Sequence, residues 1–344
     1  MRNVATKWEA VFLSRPFVLL VLVLLFMPVL TLGGCRVTQG TETVVFNIQP
    51  WSDDGVVGRR LTSDHFTIIS TIHDEEFELS LPQFLESAYQ RYAATIPPRA
   101  TAEGDASITK DRLTMYVLGS RGEWSRFTRI RFPSRFEAYS RIRFGGYTEP
   151  DLSAIFYAGR AITLATLIHE GWHQYVNLHV GTPIPAWLNE GLACYHEAFE
   201  IADGRLRFTP KYNTFRINDL RNAVRRNRVM SLRELIETDA GQVLHHDRRD
   251  MTPAYYAQAW ALMTFLRHGA GLRYAARFDD MLRDIADGSF AAYVSAAKVT
   301  CEALDGDTEP ASSSLAAFTA YFGAPDETLQ EAYYNHLVIT AGFE

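Results

Sequence analysis

One five-residue segment, His169-Glu170-Gly171-Trp172-His173, restricts this chain more than any other feature. Its histidines are four positions apart, so on a helix they share one face with their Cβ atoms about 6 Å apart. Both imidazoles can then bind one zinc ion at about 2.0–2.1 Å. Glu170 lies one residue further round the helix, where its carboxylate reaches a water on the metal rather than the metal. The alternative is a surface helix whose histidines bind nothing, and the apolar pattern over residues 161–179 weighs against it.

A second segment, residues 185–193, offers a third ligand. Glu190 follows His173 by 17 residues, and residues 180–184 supply a turn. A helix over 185–199 can therefore return along the first helix and bring Glu190 to the metal. His169, His173, Glu190 and one water would complete the tetrahedron of a catalytic zinc site. The alternative is that Glu190 faces solvent near the start of its helix.

The two segments together, HEGWHQY and PAWLNEGLA, resemble the gluzincin group of metallopeptidases. More closely, residues 64–270 are similar to a poorly characterised set of bacterial, often lipid-anchored, gluzincin-like proteins. The resemblance implies that zinc is held by His169, His173 and Glu190. It also implies hydrolysis of peptide or similar amide bonds, with Glu170 as general base.

A later segment, Tyr256-Ala-Gln258-Ala-Trp260, matches the Tyr-x-Gln-x-Trp pattern of the same proteins. By that resemblance, Tyr256 donates a hydrogen bond to the oxyanion of the tetrahedral intermediate. The alternative is that the aromatic residues of this helix pack into the core.

One position departs from the resemblance. Many gluzincins have a carboxylate four residues after the ligand glutamate, where it orients a ligand histidine. That position is Cys194 in this chain. The orienting role then falls to Glu197, to Asn189 or to a backbone carbonyl, or it is absent.

The N-terminus has the order of a secretory signal over residues 1–34. Three cations precede an uncharged stretch over residues 17–32, and Leu32-Gly33-Gly34-Cys35 follows. That ending resembles the lipobox of bacterial lipoproteins, which implies a diacylglycerol on Cys35 and a protein held on the membrane of the cell envelope. Arg36, directly after this cysteine, favours the periplasmic side of the outer membrane in a diderm host. The alternatives are an ordinary signal peptide and an uncleaved anchor. The apolar run is shorter than the 20 or so residues of a spanning helix.

The remaining pattern predicts an α+β fold. Residues 35–62 are polar and predict a flexible tether. Residues 63–160 predict a small α+β subdomain, residues 161–344 predict a mainly helical subdomain, and the active-site cleft would lie between them. Predicted strands cover 65–72, 113–118 and 154–157, and 131–150 reads as irregular or as a hairpin. Predicted helices cover 81–92, 120–127, 161–179, 185–199, 214–227, 231–237, 253–268, 271–286, 289–301, 312–321 and 326–339.

Composition narrows the class of protein further. The net charge is -6 without a long basic run, which argues against nucleic acid as a partner. Of the three cysteines, Cys194 and Cys301 are predicted to be buried free thiols, with a disulfide as the alternative. The sequence therefore favours a zinc metallopeptidase acting on a peptide or protein substrate at the cell envelope. A catalytically inactive lipoprotein that keeps the fold as a binding or scaffold module is the alternative.

Overall fold

The computed structural model describes residues 44–343, apart from 54–55, 100–111, 143–144, 203–204, 246–250 and 305–311. The predicted signal peptide and its Cys35 lie outside the described residues, as does the side chain of Cys301. None of the helices in the described part of the chain is both long enough and apolar enough to cross a membrane.

A mixed six-stranded sheet forms the N-terminal part of the fold, with strand order β1-β2-β3-β4-β6-β5. Its strands are β1 (Asn47–Asp53), β2 (Val56–Thr62), β3 (Phe66–Ser70), β4 (Leu113–Leu118), β5 (Gly146–Thr148) and β6 (Ser153–Phe156). The pairs β3–β4 and β4–β6 are parallel, so each needs a crossover connection. Helix α1 (Glu75–Thr95) lies in the first crossover, and helices α2 (Arg121–Arg131) and α3 (Phe136–Ser140) lie in the second.

Alternation of side chains along β6 divides the core into two clusters. Ile155 faces the main core, which continues into the helical part. Ala154 and Phe156 face a smaller cluster that contains Trp124 and Tyr147. The indole Nε1 of Trp124 donates to the backbone oxygen of Ala154 at 2.9 Å, so α2 is fixed to this face of the sheet.

The C-terminal part is mainly helical, with one hairpin of strands β7 (Phe199–Ala202) and β8 (Arg205–Phe208). Its helices are α4 (Arg160–His179), α5 (Ala186–His196), α6 (Thr214–Arg225), α7 (Leu232–Glu237), α8 (Ala240–His245), α9 (Thr252–His268), α10 (Ala275–Asp287), α11 (Phe290–Leu304), α12 (Ser313–Phe322) and α13 (Glu327–Thr340). Helix α9 is buried at every position from Ala257 to Leu266, and α5, α6, α10 and α13 pack around it. The predicted α+β class is confirmed, and residues 42–344 form one compact unit.

Three segments differ from the sequence-based expectations. The predicted tether over 35–62 is wrong for its second half, because β1 and β2 form a hairpin that pairs with β3. That hairpin lies at the sheet edge and is largely exposed, so its sequence lacks an apolar face, and Pro50 is tolerated in the edge strand. The segment 131–150 contains α3 and the short strand β5, and α8 was not predicted.

The approach of α5 to α9 depends on Gly191. A Cβ at this position would lie 2.9 Å from the backbone oxygen of Ala259 and 2.9 Å from Cε of Met263. We therefore expect Gly191→Ala to force the two helices apart and to lower the free energy of unfolding by about 1–3 kcal/mol. Urea denaturation of the metal-free protein measures this change.

Gly122 of α2 is the matched control, because the nearest atom to an added Cβ there is Ser120 Oγ at 3.8 Å. Gly122→Ala should leave the stability unchanged or raise it slightly, since alanine favours a helix. Equal stability of both variants and the wild type would contradict the tight packing of α5 on α9.

His336 on α13 makes the stability depend on pH. Its Nε2 lies 2.9 Å from Thr264 Oγ1 on α9, and burial, aided by His268, lowers the pKa of His336 to about 4. As the pH falls from 6.5 to 4, the unfolded chain therefore binds a proton at His336 before the folded chain does. The contribution of His336 to the free energy of unfolding is present above pH 6.5 and is lost as the pH falls toward 4. It is at most about 3 kcal/mol.

Urea denaturation from pH 7.5 to 4 tests this contribution. The stability of His336→Gln should fall less steeply than that of the wild type as the pH is lowered. The exposed His73 supplies the control variant His73→Gln, which should follow the wild type. Parallel curves for His336→Gln and the wild type would refute the prediction.

Candidate metal centre

Helix α4 presents both histidines of the HExxH segment from within the fold rather than at its surface. The helix begins after Gly159, whose positive φ of 91° suits glycine. It ends at His179, ahead of Gly181 and Pro183 in the turn to α5. His169 and Glu170 are only 8% and 7% exposed, so this part of the helix does not lie at the surface.

Three donor atoms from α4 and α5 form a nearly equilateral triangle. The Nε2 atoms of His169 and His173 are 3.2 Å apart, and each lies 3.3 Å from Oε2 of Glu190. Ligands at 2.0–2.1 Å from a tetrahedral zinc ion are about 3.3–3.4 Å from one another. The dimensions of the triangle therefore fit one face of a zinc tetrahedron. The Glu190 side chain is 14% exposed, so it does not face open solvent.

The carboxylate corner of the triangle is buried. Glu190 Oε2 is inaccessible to solvent and makes no hydrogen bond to any described residue. Burial raises the pKa of the Glu190 carboxyl, but His173 and His169 outweigh it and hold that pKa below its ordinary range. Burial lowers the pKa of His169, whereas Cys194 and the two glutamates around it raise that pKa well above its ordinary value. An ionised carboxylate in this position needs a proton or a metal ion beside it.

Glu197 contacts the ring nitrogen of His169 that does not face the triangle. Its Oε1 lies 2.8 Å from His169 Nδ1, which leaves Nε2 for the triangle. Burial raises the pKa of the Glu197 carboxyl, but the charge of Arg216, together with His169, lowers it to about 2. Glu197 is therefore ionised and accepts the proton of Nδ1, which fixes the tautomer of His169.

Asn189 contacts Nδ1 of His173, as Glu197 contacts Nδ1 of His169. The Nε1 of Trp172 donates to Asn189 Oδ1 at 3.0 Å, and the same oxygen lies 3.3 Å from His173 Nδ1. Two of the replacements considered for the missing carboxylate at position 194 are thus present. Cys194 is a buried free thiol, as predicted, and burial raises the pKa of its thiol.

A second group of possible metal ligands among the described residues shares His169 and adds Cys194 and Glu197. Arg216 already occupies the cation position beside this group. Its Nε donates to Glu197 Oε2 at 2.8 Å and its Nη2 donates to Glu197 Oε1 at 2.5 Å. A second divalent cation would face the charge of the guanidinium, so the triangle is the better metal site.

Glu170 lies against the edge of the sheet. Thr148 of β5 donates its hydroxyl to Glu170 Oε2 at 2.7 Å, and the same hydroxyl lies 2.9 Å from Ser153 Oγ on β6. Gly146 leaves room for this arrangement, because a Cβ there would lie 3.3 Å from Glu170 Cγ and 2.7 Å from the backbone oxygen of Ala154. The short strand β5 therefore positions the Glu170 carboxylate.

In the Tyr-x-Gln-x-Trp segment, Tyr256 lies at the site, whereas Gln258 and Trp260 bind backbone groups of other segments. Tyr256 lies beside the site, with its ring centroid 5.8 Å from that of His169. Gln258 accepts from the backbone nitrogen of Met230 at 2.9 Å, and Trp260 Nε1 donates to the backbone oxygen of Pro210 at 2.8 Å. Burial, reinforced by the charge of Glu190, raises the pKa of Tyr256 well above its ordinary value, so its phenol stays a hydrogen-bond donor.

Sequence reasoning missed three residues of this site: Arg216, Asn213 and Thr148. Asn213 donates Nδ2 to Glu197 Oε2 at 3.0 Å while its Oδ1 caps α6 by accepting from the backbone nitrogen of Arg216. An Asn before a helix is a recognisable cap pattern, but nothing in the pattern says what its amide reaches. Thr148 was hidden because β5 has only three residues.

Comparison with known families covers the same helices. Residues 163–283 match a family described as a protein of unknown function (DUF1570). The matched stretch runs from within α4 to within α10 and includes His169, His173, Glu190 and Tyr256. No curated protein matches this chain.

Proposed function

We propose that this chain is a gluzincin-type zinc metallopeptidase that hydrolyses peptide bonds at the cell envelope. The observation that carries this proposal is the triangle of His169 Nε2, His173 Nε2 and Glu190 Oε2, with sides of 3.2–3.3 Å and a buried carboxylate oxygen without a hydrogen bond. Bound there, zinc would polarise a substrate carbonyl and acidify a water.

Glu170 is the proposed general base. Thr148 donates to its Oε2, so we assign proton transfer to Oε1. That oxygen would take a proton from the attacking water and deliver it to the leaving amine. The neutral phenol of Tyr256, next to His169, would donate to the oxyanion of the tetrahedral intermediate.

The position of β5 supports an extended peptide as the substrate. Within the described part of the chain, β5 is the edge strand of the sheet and pairs with β6 on one side. A peptide backbone can pair with the other side of an edge strand. Because Thr148 of this strand contacts Glu170, a peptide bound there would run past the proposed base.

The alternative function is an inactive lipoprotein that uses the same fold as a binding or scaffold module. Two features of the sequence favour this alternative: the cysteine at position 194 and the lack of a recognisable substrate-pocket pattern. Glu197 supplies a carboxylate to His169, which weakens the first of these reasons. A scaffold also has no chemical use for a buried Glu170.

Metal analysis and a peptide library test the proposed activity. We expect about one zinc per purified chain and cleavage of some library peptides by the wild type. Glu170→Gln should keep the zinc and lower kcat by about 100-fold or more, because only the proton acceptor is removed. Glu200→Gln, at an exposed glutamate of β7, should cleave like the wild type.

Two results would contradict the proposal. A wild type that binds no zinc when zinc is supplied would remove the metal site. Zinc binding at one equivalent without cleavage by the wild type would favour the inactive scaffold.

The lipid anchor on Cys35 is a further part of the proposal and is supported by the sequence alone. We expect Cys35→Ser to abolish incorporation of labelled palmitate in a bacterial host and to release the protein from the membrane fraction. Each acyl methylene contributes about 0.8 kcal/mol to membrane binding, so losing two or three chains removes the anchor. Cys301→Ser is the control and should keep the label. A labelled Cys35→Ser protein would refute lipidation at Cys35.

A further inference from the structure

The geometry points to Arg216 as a positioning residue that holds two parts of the site at once. This inference rests on the proposed zinc site. Through Glu197, Arg216 fixes the metal ligand His169, and through its guanidinium face it fixes the ring of Tyr256. No pattern in the sequence marks Arg216 for either role.

The first contact is a fork of two hydrogen bonds. Arg216 Nε and Nη2 each donate to a different oxygen of Glu197, at 2.8 and 2.5 Å. A planar guanidinium that holds both oxygens also fixes the rotation of the carboxylate. Oε1 of that carboxylate faces His169 Nδ1 at 2.8 Å, so the fork sets the direction in which His169 Nε2 points.

The second contact is with the ring of Tyr256. The Cζ atom of Arg216 lies 5.3 Å from the centroid of this ring, within the range of a cation–π contact. The Arg216 side chain is 17% exposed, so little water competes for either contact. One guanidinium thus lies between the carboxylate behind His169 and the tyrosine beside it.

Helix α6 holds Arg216 in this place. Asn213 caps the helix at the backbone nitrogen of Arg216 and also donates to Glu197 and to the backbone oxygen of Cys194. Asp219, one turn along α6, lies 3.9 Å from Arg216 Nη1. The start of α6 is therefore tied to the end of α5, and these contacts hold the guanidinium against Glu197.

Arg216→Lys tests the inference, because lysine keeps the charge but cannot form the fork. Competition with a chromogenic chelator should show a zinc affinity about 10- to 100-fold below that of the wild type. Glu197→Gln should lose a similar factor. The double variant should lose no more than either single variant, because the guanidinium acts through the carboxylate.

Arg267 offers a matched control outside the site. It pairs with Asp279, and its Cζ lies 5.5 Å from the ring centroid of Phe278, so it makes the same two kinds of contact. Arg267→Lys should keep the zinc affinity of the wild type. Thermal melting of the metal-free proteins shows whether Arg216→Lys is folded. If it is not, Glu197→Gln carries the affinity test.

The tyrosine contact is tested separately. Tyr256→Phe should bind zinc like the wild type, because it removes no ligand and no support of His169. A crystal structure of zinc-loaded Arg216→Lys should show the Tyr256 ring displaced from its 5.8 Å centroid distance to His169. An unmoved ring would overturn this half of the inference.

The outcomes separate this inference from the proposed hydrolysis. Wild-type zinc affinity in both Arg216→Lys and Glu197→Gln would overturn the positioning role, whether or not the chain cleaves peptides. A wild type that cleaves no peptide, together with the expected loss of zinc affinity, would remove the hydrolase and leave the positioning role. A wild type without zinc would remove both.

Discussion

His169 lies between two buried carboxylates, and this arrangement sets what the surrounding structure must supply. Its Nε2 is 3.3 Å from Glu190 and its Nδ1 is 2.8 Å from Glu197. Two ionised carboxylates out of water need two positive charges near them. Arg216 provides one for Glu197. Among the described residues, the side chains that act on the Glu190 carboxylate as positive charges are the two histidines, and a divalent ion at the triangle would supply a further positive charge.

The helices can approach closely enough for this because small residues stand at two contacts. Gly171, inside the HExxH segment, allows the hydroxyl of Tyr92 to reach the backbone oxygen of Ile168 at 2.6 Å, where a Cβ would lie 2.9 Å from that hydroxyl. Gly191, next to Glu190, allows α5 to lie close to α9, because a Cβ there would meet the backbone oxygen of Ala259. Both glycines adjoin proposed site residues, so backbone packing and the site constrain the same positions.

The sequence predicted the helices well because their apolar residues recur at helical spacing, and the expected approach of Glu190 to His169 and His173 is found for the same reason. It misjudged the hairpin of β1 and β2, whose exposed faces carry no apolar alternation. It could not predict Arg216 as a partner of Glu197, because that contact joins residues 19 positions apart across a hairpin and a turn. Contacts of this kind depend on tertiary packing rather than on local periodicity.

The short strand β5 links the site to the opposite face of the sheet. Thr148 points to Glu170, while its neighbour Tyr147 points to the smaller core cluster, where its ring stacks on Tyr139 at 4.0 Å and its hydroxyl lies 3.1 Å from Thr128. A slip of one residue in the pairing of β5 would exchange these two faces. The aromatic stack thus fixes the register of the strand that holds the proposed base, so substitutions in α2 or α3 would shift Glu170 without changing any residue of the proposed metal site.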